Sequence, residues 1–276
     1  MPAMLPAMTP CLLALDTSTE LLAAALLAPS AGAAAAGLPN GVQNGVPNDV
    51  PNGVPSGLAC VQEAGGAQAS TRLIPVLMGL LADAGLALGD LQAIAFGQGP
   101  GAFTGLRTAC AVAQGLALAH ETPLLAIDSL LIVAEDARAQ AGSSAPGPDW
   151  WVAMDARMDE VYAAAYRHGP AGWQVRVAPQ LWALDALAAA WALSPPQQVA
   201  GSALTAFADR LPWGSARQVP HCRDRAGALA RLSLAAWQAG AGIPPDQALP
   251  LYLRDKVALT TQERLLRKAA AATAAA

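Results

Sequence analysis

The segment from Phe96 to Arg107 reads FGQGPGAFTGLR, and no other part of the chain says as much about the fold. The apolar run at residues 91–96 predicts a short strand, and residues 103–120 contain no proline and predict a helix. A strand, a glycine-rich loop and a helix form the layout in which backbone N–H groups meet an anion. The same glycines could instead let the chain turn a tight corner, so a ligand site and a structural turn both stay open.

Two phosphate-binding fingerprints do not match this loop. A P-loop requires a lysine directly after its last glycine, whereas the only lysines of the chain, Lys256 and Lys268, lie far from any glycine cluster. A dinucleotide fingerprint requires Gly-x-Gly-x-x-Gly, whereas Gly97, Gly99 and Gly101 recur at every second position. The loop therefore does not indicate catalysis of phosphoryl transfer.

Length and composition predict two lobes and limit the binding partners. A chain of 276 residues exceeds the usual size of one domain, so we expect two lobes of roughly 120 to 140 residues. Charged residues make up only 13% of the chain, which is little for a fully solvated surface. A net charge of -4 argues against direct binding to a nucleic-acid backbone, because phosphate contacts require clustered lysines and arginines. Any role with RNA would need a partner that supplies positive charge.

The cysteines and the apolar runs predict a cytoplasmic protein without membrane contact. The cysteines occur singly, at Cys11, Cys60, Cys110 and Cys222. Single cysteines indicate reduced side chains rather than zinc ligands or a redox pair. The first ten residues contain no basic residue, so we expect no signal peptide. No apolar run reaches the ~20 residues of a membrane span.

The first half of the chain opens with a predicted hairpin followed by a long loop. Residues 11–15 and 21–28 are apolar runs of strand length on either side of a polar turn at 16–20. Residues 38–57 repeat a four-residue unit rich in Pro, Asn and Gly, which favours turns and interrupts any strand ladder. We therefore interpret residues 29–57 as an exposed, low-complexity loop insertion without a function of its own.

Two helices of the first half are apolar on nearly every side. In residues 74–81 only Pro75 and Gly79 are not large apolar residues, and in residues 106–119 only three residues are polar. A sheet covers one side of a helix, so the rest of the chain or another subunit must cover the other side. We favour a subunit interface over packing within the chain. The predicted interface residues are Ile74, Leu77, Met78, Leu81, Leu106, Ala109, Cys110, Ala113, Leu116 and Ala117.

The second half repeats the order of elements predicted for the first. Its predicted elements are a helix at 129–141, strands at 150–154, 161–166 and 173–177, and helices near 181–192, 203–208 and 226–239. A Gly/Ser/Pro linker at 142–148 separates the first of these helices from the strands. A three-stranded meander followed by helix, strand and helix therefore occurs twice, which indicates two related α/β lobes.

Four segments resemble the signature segments of the TsaB family. They are Leu13–Glu20, Gly97–Arg107, Asp155–Tyr162 and Pro250–Arg254. The resemblance covers most of residues 11–258. The glycine segment joined to Phe-Thr-Gly-Leu-Arg is highly specific, and the other three segments are strong together.

The resemblance implies an α/β protein with the two-lobed ASKHA fold of actin, sugar kinases and Hsp70 ATPases. Each lobe is then a duplicated ribonuclease-H-like unit. The expected N-terminal lobe is 1–128, with the insertion at 29–57, and the expected C-terminal lobe is 129–258. An Ala-rich tail at 259–276 is expected to be disordered.

The resemblance also implies a role in tRNA modification. Members of the family are non-catalytic scaffold subunits that pair with their paralogue TsaD, while the ATPase TsaE docks on the pair. The assembly makes N6-threonylcarbamoyladenosine next to the anticodon of tRNAs that read codons beginning with A. The chain is therefore expected to form a heterodimer with TsaD, a homodimer when alone, and contacts with tRNA only through the complex. No cofactor is expected on this chain alone, because ATP, magnesium and a TsaD-bound metal serve the complex.

The histidines do not form the metal site of the catalytic paralogue. That site requires two histidines about one helical turn apart, whereas His120, His168 and His221 are widely separated. We predict no metal site and structural roles for all three, with His120 at a helix C-terminus and His168 in a turn.

A vestigial nucleotide site is predicted where an ASKHA fold would hold phosphate and metal. Its candidate residues are Asp16, Thr17, Ser18, Gly99 and Gly101. A turn held by local hydrogen bonds is the alternative interpretation of the first three. An actin-fold ATPase or small-molecule kinase is the alternative function, and it would turn over ATP unaided.

Overall fold

The computed structural model describes residues 10–29, 57–142 and 147–254. The predicted insertion, apart from its two end residues, and the predicted tail at 259–276 lie outside the described residues. What was expected of them therefore stays a prediction.

The first lobe is built on a five-stranded sheet that is covered on both faces. Its strands are β1 (Leu12–Asp16), β2 (Leu21–Leu27), β3 (Leu58–Ala64), β4 (Ala93–Gly99) and β5 (Leu124–Asp128). Their order is β3-β2-β1-β4-β5, with β1 antiparallel to β2 and parallel to β4. Because alternate residues of a strand point to opposite faces, Leu13 and Leu15 pack in one core cluster and Leu12 and Ala14 in another.

The second lobe repeats this topology. Its strands are β6 (Trp150–Asp155), β7 (Glu160–Gly169), β8 (Gly172–Ala183), β9 (Gln198–Ala200) and β10 (Arg217–Val219). Their order, read from the other edge, is β8-β7-β6-β9-β10, which is the order of the first sheet with every number raised by five. The predicted duplication of the lobes is therefore confirmed. His168 lies on β7, close to the hairpin, rather than in a turn as predicted.

Within the described ranges, six helices pack on the two sheets. They are α1 (Ala69–Asp83), α2 (Phe103–Leu118), α3 (Ser129–Gln140), α4 (Leu184–Leu193), α5 (Ala203–Ala206) and α6 (Arg225–Gln238). α1 and α2 cover one face of the first sheet, and α6 together with α3 covers the other. α3 begins where Asp128, at the end of β5, accepts hydrogen bonds from the backbone N–H groups of Leu130 and Leu131.

The division of the chain at residue 128 needs a correction. α6 belongs to the second half of the sequence, yet its buried residues Ala228 and Leu229 pack with Leu12 and Leu125 of the first sheet. Residues 243–252 then return across the first lobe, where Ile243 pairs with Leu124. The first lobe therefore contains residues from both ends of the chain, because its sheet needs α6 to cover its second face.

Most of the predicted interface residues lie in the core of the first lobe. Seven of the ten are at most 4% exposed, namely Leu77, Leu81, Leu106, Ala109, Cys110, Ala113 and Ala117. Their side chains pack on the sheet or between the two helices, and so they offer no surface to a partner. Ile74 and Met78 are 46% and 42% exposed, and Leu116 is half-buried. A contact of these helices with a partner stays a prediction, now carried by their outward side.

Candidate functional site

The four segments that resemble family signatures meet at one cleft between the lobes. The first lobe lines it with the turn after β1, the start of α2 and the start of α3. The second lobe contributes the end of β6 and the turn that follows, and residues 251–254 run along the edge. The cleft encloses about 470 Å³. This volume is within the range of small-molecule sites, so the cleft is the first place to look for function.

The glycines of residues 97–105 bring β4 and α2 against the turn after β1. An added Cβ would lie 1.7 Å from Asp16 Oδ1 at Gly97, 2.3 Å from the Ser18 carbonyl oxygen at Gly101 and 1.8 Å from the Thr17 carbonyl oxygen at Gly105. No side chain fits at such distances. The Thr17 hydroxyl also donates to the Gly105 carbonyl oxygen at 2.8 Å. Of the two interpretations of the glycine loop, the tight corner therefore describes these contacts.

A buried ion pair forms the floor of the cleft. Arg225, on the first turn of α6, donates from Nε to Asp16 Oδ2 at 2.6 Å and from Nη2 to the Ser18 hydroxyl at 2.8 Å. The Arg225 and Asp16 side chains are 1% and 0% exposed. Burial pushes the pKa of Arg225 downward, but the charges of Asp16 and Cys222 and their hydrogen bonds to Arg225 together outweigh it and raise the pKa. Arg225 is therefore a cation that neutralises the buried Asp16 carboxylate beneath the cleft.

The second lobe presents an unusual turn to the cleft. Arg157, Met158 and Asp159 all have positive φ, between 57° and 66°, a conformation that costs energy for residues other than glycine. Arg254 holds the turn, because its Nη2 donates to the Ala156 carbonyl oxygen at 2.8 Å and pairs with the Glu160 carboxylate at 2.5 Å. The Arg157 side chain is 88% exposed. The turn is thus fixed at its base and open at its tip.

An aromatic cluster marks the mouth of the cleft. The rings of Phe103 and Tyr252 are 5.2 Å apart, and the Arg107 guanidinium lies 3.9 Å from the centre of the Phe103 ring. Arg107 Nε also donates to the Tyr252 hydroxyl at 3.0 Å. Residues 251–254 are joined to the first lobe here, since the Leu251 N–H donates to the Gln98 carbonyl oxygen at 2.8 Å. Two of the four signature segments are therefore bound directly to each other.

The five candidates for a vestigial nucleotide site do come together, but their polar groups face one another. Asp16 is paired with Arg225, and the Ser18 hydroxyl accepts a hydrogen bond from Arg225. The space that a side chain would need at Gly101 is occupied by the Ser18 backbone. Gly99 has φ +120° and closely approaches the Leu251 carbonyl oxygen. Among the described residues, no group of three or more His, Cys, Asp or Glu side chains could hold a metal ion. A nucleotide site here stays a prediction without support from these contacts.

Sequence reasoning missed Arg225 and Arg254, which organise the cleft. Arg225 stands just before the small and apolar residues of α6, and Asp16 ends an apolar strand. A charged side chain in apolar surroundings needs an opposite charge, so Asp16 at the end of its apolar strand was a usable signal, whereas Arg225 follows Arg223 and Asp224 and does not stand out. The contact joins residues 209 positions apart, however, and no local pattern shows such a pairing.

The outward side of α1 and α2 is the second surface of interest. We call it the α1–α2 face and define it by Ile74, Pro75, Met78 and Ala82 on α1 and Arg107, Ala111, Gly115 and Leu118 on α2, all of them exposed. The spacing of three or four residues places each set on one side of its helix. An added Cβ at Gly79 or Gly115 would meet nothing within 4 Å. Of the residues that define the face, only Arg107 is charged. Its small residues leave room for another helix to approach.

Comparisons with known proteins relate this chain to proteins of tRNA modification. The model of the family described as TsaD: tRNA N6-adenosine threonylcarbamoyltransferase matches residues 62–274. A protein of Escherichia coli K12, named tRNA threonylcarbamoyladenosine biosynthesis protein TsaB, is 39% identical over 101 residues, which are 37% of this chain and 42% of that protein. The Bacillus subtilis protein of the same name is 33% identical over 99 residues, 36% of this chain and 41% of that protein. The chain thus spans about two fifths of the length of these relatives.

Solved structures extend the comparison to nearly the whole chain. YeaZ from Pseudomonas aeruginosa is 32% identical, with a TM-score of 0.68 over 88% of this chain and 100% of that chain. Together with the repeated strand order, this match confirms the predicted two-lobed actin-like fold. Within the described part of the chain, no helix has the length and apolar character needed to cross a membrane.

Proposed function

The chain belongs to the TsaD family of tRNA N6-adenosine threonylcarbamoyltransferases, and from that premise we propose that it is a non-catalytic subunit of the machinery that makes threonylcarbamoyladenosine in tRNA. Its similarity to proteins named for threonylcarbamoyladenosine biosynthesis supports the pathway. The observation that carries the non-catalytic role is the buried pair of Arg225 and Asp16 at the floor of the cleft.

The chemistry of the cleft supports a structural role. Among the described residues, the lining contains no histidine, cysteine or lysine, and its carboxylates are those of Glu20 and Asp155, the second of which is paired with Arg157. Asp16, the residue best placed to bind a metal or a phosphate-bound water, is already paired with a fixed guanidinium at 2.6 Å. A phosphate group would have to displace that contact from a site without solvent access. The contacts of Asp16 and Arg225 stabilise the lobe instead.

The α1–α2 face is the proposed contact with TsaD. Ile74 and Met78 are large apolar side chains that are nearly half exposed, and an apolar surface of this kind indicates a protein contact. Ala111 and Gly115 lie one turn apart on the exposed side of α2, so a partner helix can approach closely. When the chain is alone, a second copy would cover the same face as a homodimer.

The other components are proposed to act on the complex rather than on this chain alone. With a net charge of -4, it is a poor direct ligand for tRNA, so the tRNA is held through the complex. The ATPase TsaE would dock on the heterodimer. ATP, magnesium and the metal of TsaD would serve the complex rather than this chain.

Reconstitution tests the proposal. A mixture of TsaD, TsaE, the enzyme that supplies threonylcarbamoyl adenylate, ATP and tRNA should modify tRNA only when this chain is added. The chain alone should release no phosphate from magnesium ATP. Equal modification without the chain, or ATP turnover by the chain alone, would contradict the non-catalytic role.

A matched pair of variants locates the contact. Met78→Asp places a charge on the α1–α2 face and should abolish the stimulation, because an unpaired carboxylate would be buried against the partner. Val175→Asp is the control, since Val175 is 59% exposed on β8 and far from that face in the sequence and the fold. Stimulation that survives Met78→Asp in a folded protein would remove this face from the proposal.

A further inference from the structure

A second cavity opens beside the later turns of α3 and α6, away from the interlobe cleft. The two helices start at the cleft, with Ser129 and Arg225 in its lining, and the second cavity lies along residues that follow. We call it the α3–α6 groove. Its principal lining residues are Leu131, Glu135 and Arg138 on α3, Arg231, Leu234 and Ala235 on α6, and His168 and Trp173 from the second lobe. It encloses about 920 Å³, at the upper end of small-molecule sites.

The groove combines apolar walls with a charged group of three side chains. The Glu135 carboxylate accepts from Arg138 at 2.9 Å, from Arg231 Nε at 2.6 Å and from the Trp173 indole at 3.0 Å. The Glu135 side chain is only 4% exposed, whereas those of Arg138 and Arg231 are 17% and 21% exposed. Two guanidinium groups therefore share one buried carboxylate, and both reach the groove.

Two polar atoms in this lining are buried without a partner among the described residues. They are Arg231 Nη2 and His168 Nδ1. Leaving a buried N–H without an acceptor is unfavourable, so a molecule that supplied an acceptor to Arg231 Nη2 would be favoured. Because the Arg231 side chain is partly exposed, a small shift of its guanidinium presents Nη2 to the groove.

The other carboxylate of the groove does not compete for Arg231. Asp128 accepts from the Tyr166 hydroxyl at 2.5 Å and from two backbone N–H groups at the start of α3. Its contacts are therefore made by its own helix and by β7. Arg231 Nη1 lies 3.5 Å from Asp224, whose side chain is 45% exposed and is a weak partner.

We propose that the α3–α6 groove binds a small molecule that joins a carboxylate to an apolar body. Arg231 donates to the carboxylate, and the apolar body lies against Leu131, Leu234 and Ala235. Guanidinium is the side chain best suited to carboxylate, because its N–H groups match the two oxygens. The assay below uses the chain alone, so its outcome is independent of the proposed role with TsaD.

Titration calorimetry with octanoate tests the proposal, with octan-1-ol and octyltrimethylammonium as probes of equal chain length. Octanoate should bind at a single site, and both other probes should bind about tenfold more weakly or worse, as expected for the loss of one charged hydrogen bond. Equal binding of octanoate and octan-1-ol, or no heat from octanoate, would overturn the proposal.

Two variants place the binding in the groove. Ala235→Trp fills the groove from an exposed position, so the protein should fold and lose octanoate binding. The control is Ala189→Trp, at an exposed position of α4, which should bind octanoate like the wild type. Arg231→Gln should weaken octanoate binding by about tenfold and leave octan-1-ol unchanged, with Arg176→Gln as the control. Octanoate binding that is unaltered in folded Ala235→Trp protein is the result that would refute the site, whatever happens to Arg231→Gln.

Discussion

The two lobes end their first strands in different ways, although β1 and β6 occupy the same place in their sheets. β1 ends at Asp16, which is fully buried and paired with buried Arg225. β6 ends at Asp155, which is 19% exposed and pairs at 3.3 Å with Arg157, itself 88% exposed. The same topological position is thus part of the core in one lobe and part of the surface in the other.

The turn after the first strand is therefore closed by buried contacts in one lobe and exposed to solvent in the other. In the first lobe, glycines at three positions let β4 and α2 press on the turn after β1, and α6 supplies the cation that neutralises it. In the second lobe, the turn at 157–159 is held by Arg254, by an ion pair of Arg210 with Asp159 at 2.7 Å and by the Leu184 N–H, while the Arg157 side chain stays 88% exposed. The first turn is therefore closed by buried contacts, whereas the second is held by partly exposed ion pairs and keeps the Arg157 side chain in solvent.

Arg225→Ala should produce the largest effect. It leaves Asp16 buried without a cation, which costs about 3 to 5 kcal/mol of unfolding free energy. Arg157→Ala removes the equivalent exposed pair and should cost less than about 1 kcal/mol. Urea denaturation of both variants measures the contrast, and equal losses would remove the distinction between the two turns.

Gly105→Ala should be the next most damaging change. Alanine is the better helix former by about 1 kcal/mol, yet its Cβ would lie 1.8 Å from the Thr17 carbonyl oxygen, so we expect a net loss of about 3 kcal/mol. Gly169→Ala in the second lobe is the control, because an added Cβ there meets only one atom, at 4.0 Å. Thermal unfolding followed by circular dichroism measures both, and a stabilised Gly105→Ala protein would contradict the close approach.

Arg254→Ala should have a moderate effect that is confined to the second turn. The loss of its contacts with Glu160 and the Ala156 carbonyl oxygen should cost about 1.5 kcal/mol, because both are charge-assisted and partly buried. Hydrogen exchange should become faster at residues 156–160 and stay unchanged at residues 16–20. Faster exchange in both turns would show that the two sites are coupled.

The smallest effect concerns α3, the helix at the seam between the two lobes, where Trp173 of β8 donates to Glu135. Burial pushes the pKa of Glu135 upward, but hydrogen bonds and charges of Arg138 and Arg231 outweigh it and lower the pKa. The folded state therefore binds this proton more weakly than the unfolded state, so stability is present above the usual pKa of 4.5 and is lost as the pH falls.

Glu135→Gln is the test of this pH dependence. Unfolding temperatures measured from about pH 6 to about pH 3 should fall less steeply in the variant than in the wild type. An unchanged slope would show that other carboxylates account for the acid sensitivity of the seam.

The sequence predicted most of the fold and less of the site. The apolar run of β1 and the glycine loop before α2 are local patterns, so the strands, the long helices and the duplication could be predicted. The return of α6 to the first sheet could not, because it depends on which sheet face is left uncovered. The same is true of Leu77 and Ala113, whose apolar character fits a core and an interface equally well, and only the packing decides between them.

The proposed heterodimer with TsaD can be measured directly in solution. Sedimentation velocity of labelled TsaD with this chain should give a stable heterodimer, Ala111→Arg should abolish it, and Ala189→Arg on α4 should leave it intact. A heterodimer that forms equally well with folded Ala111→Arg protein would contradict the claim that this chain acts through the outward side of α1 and α2.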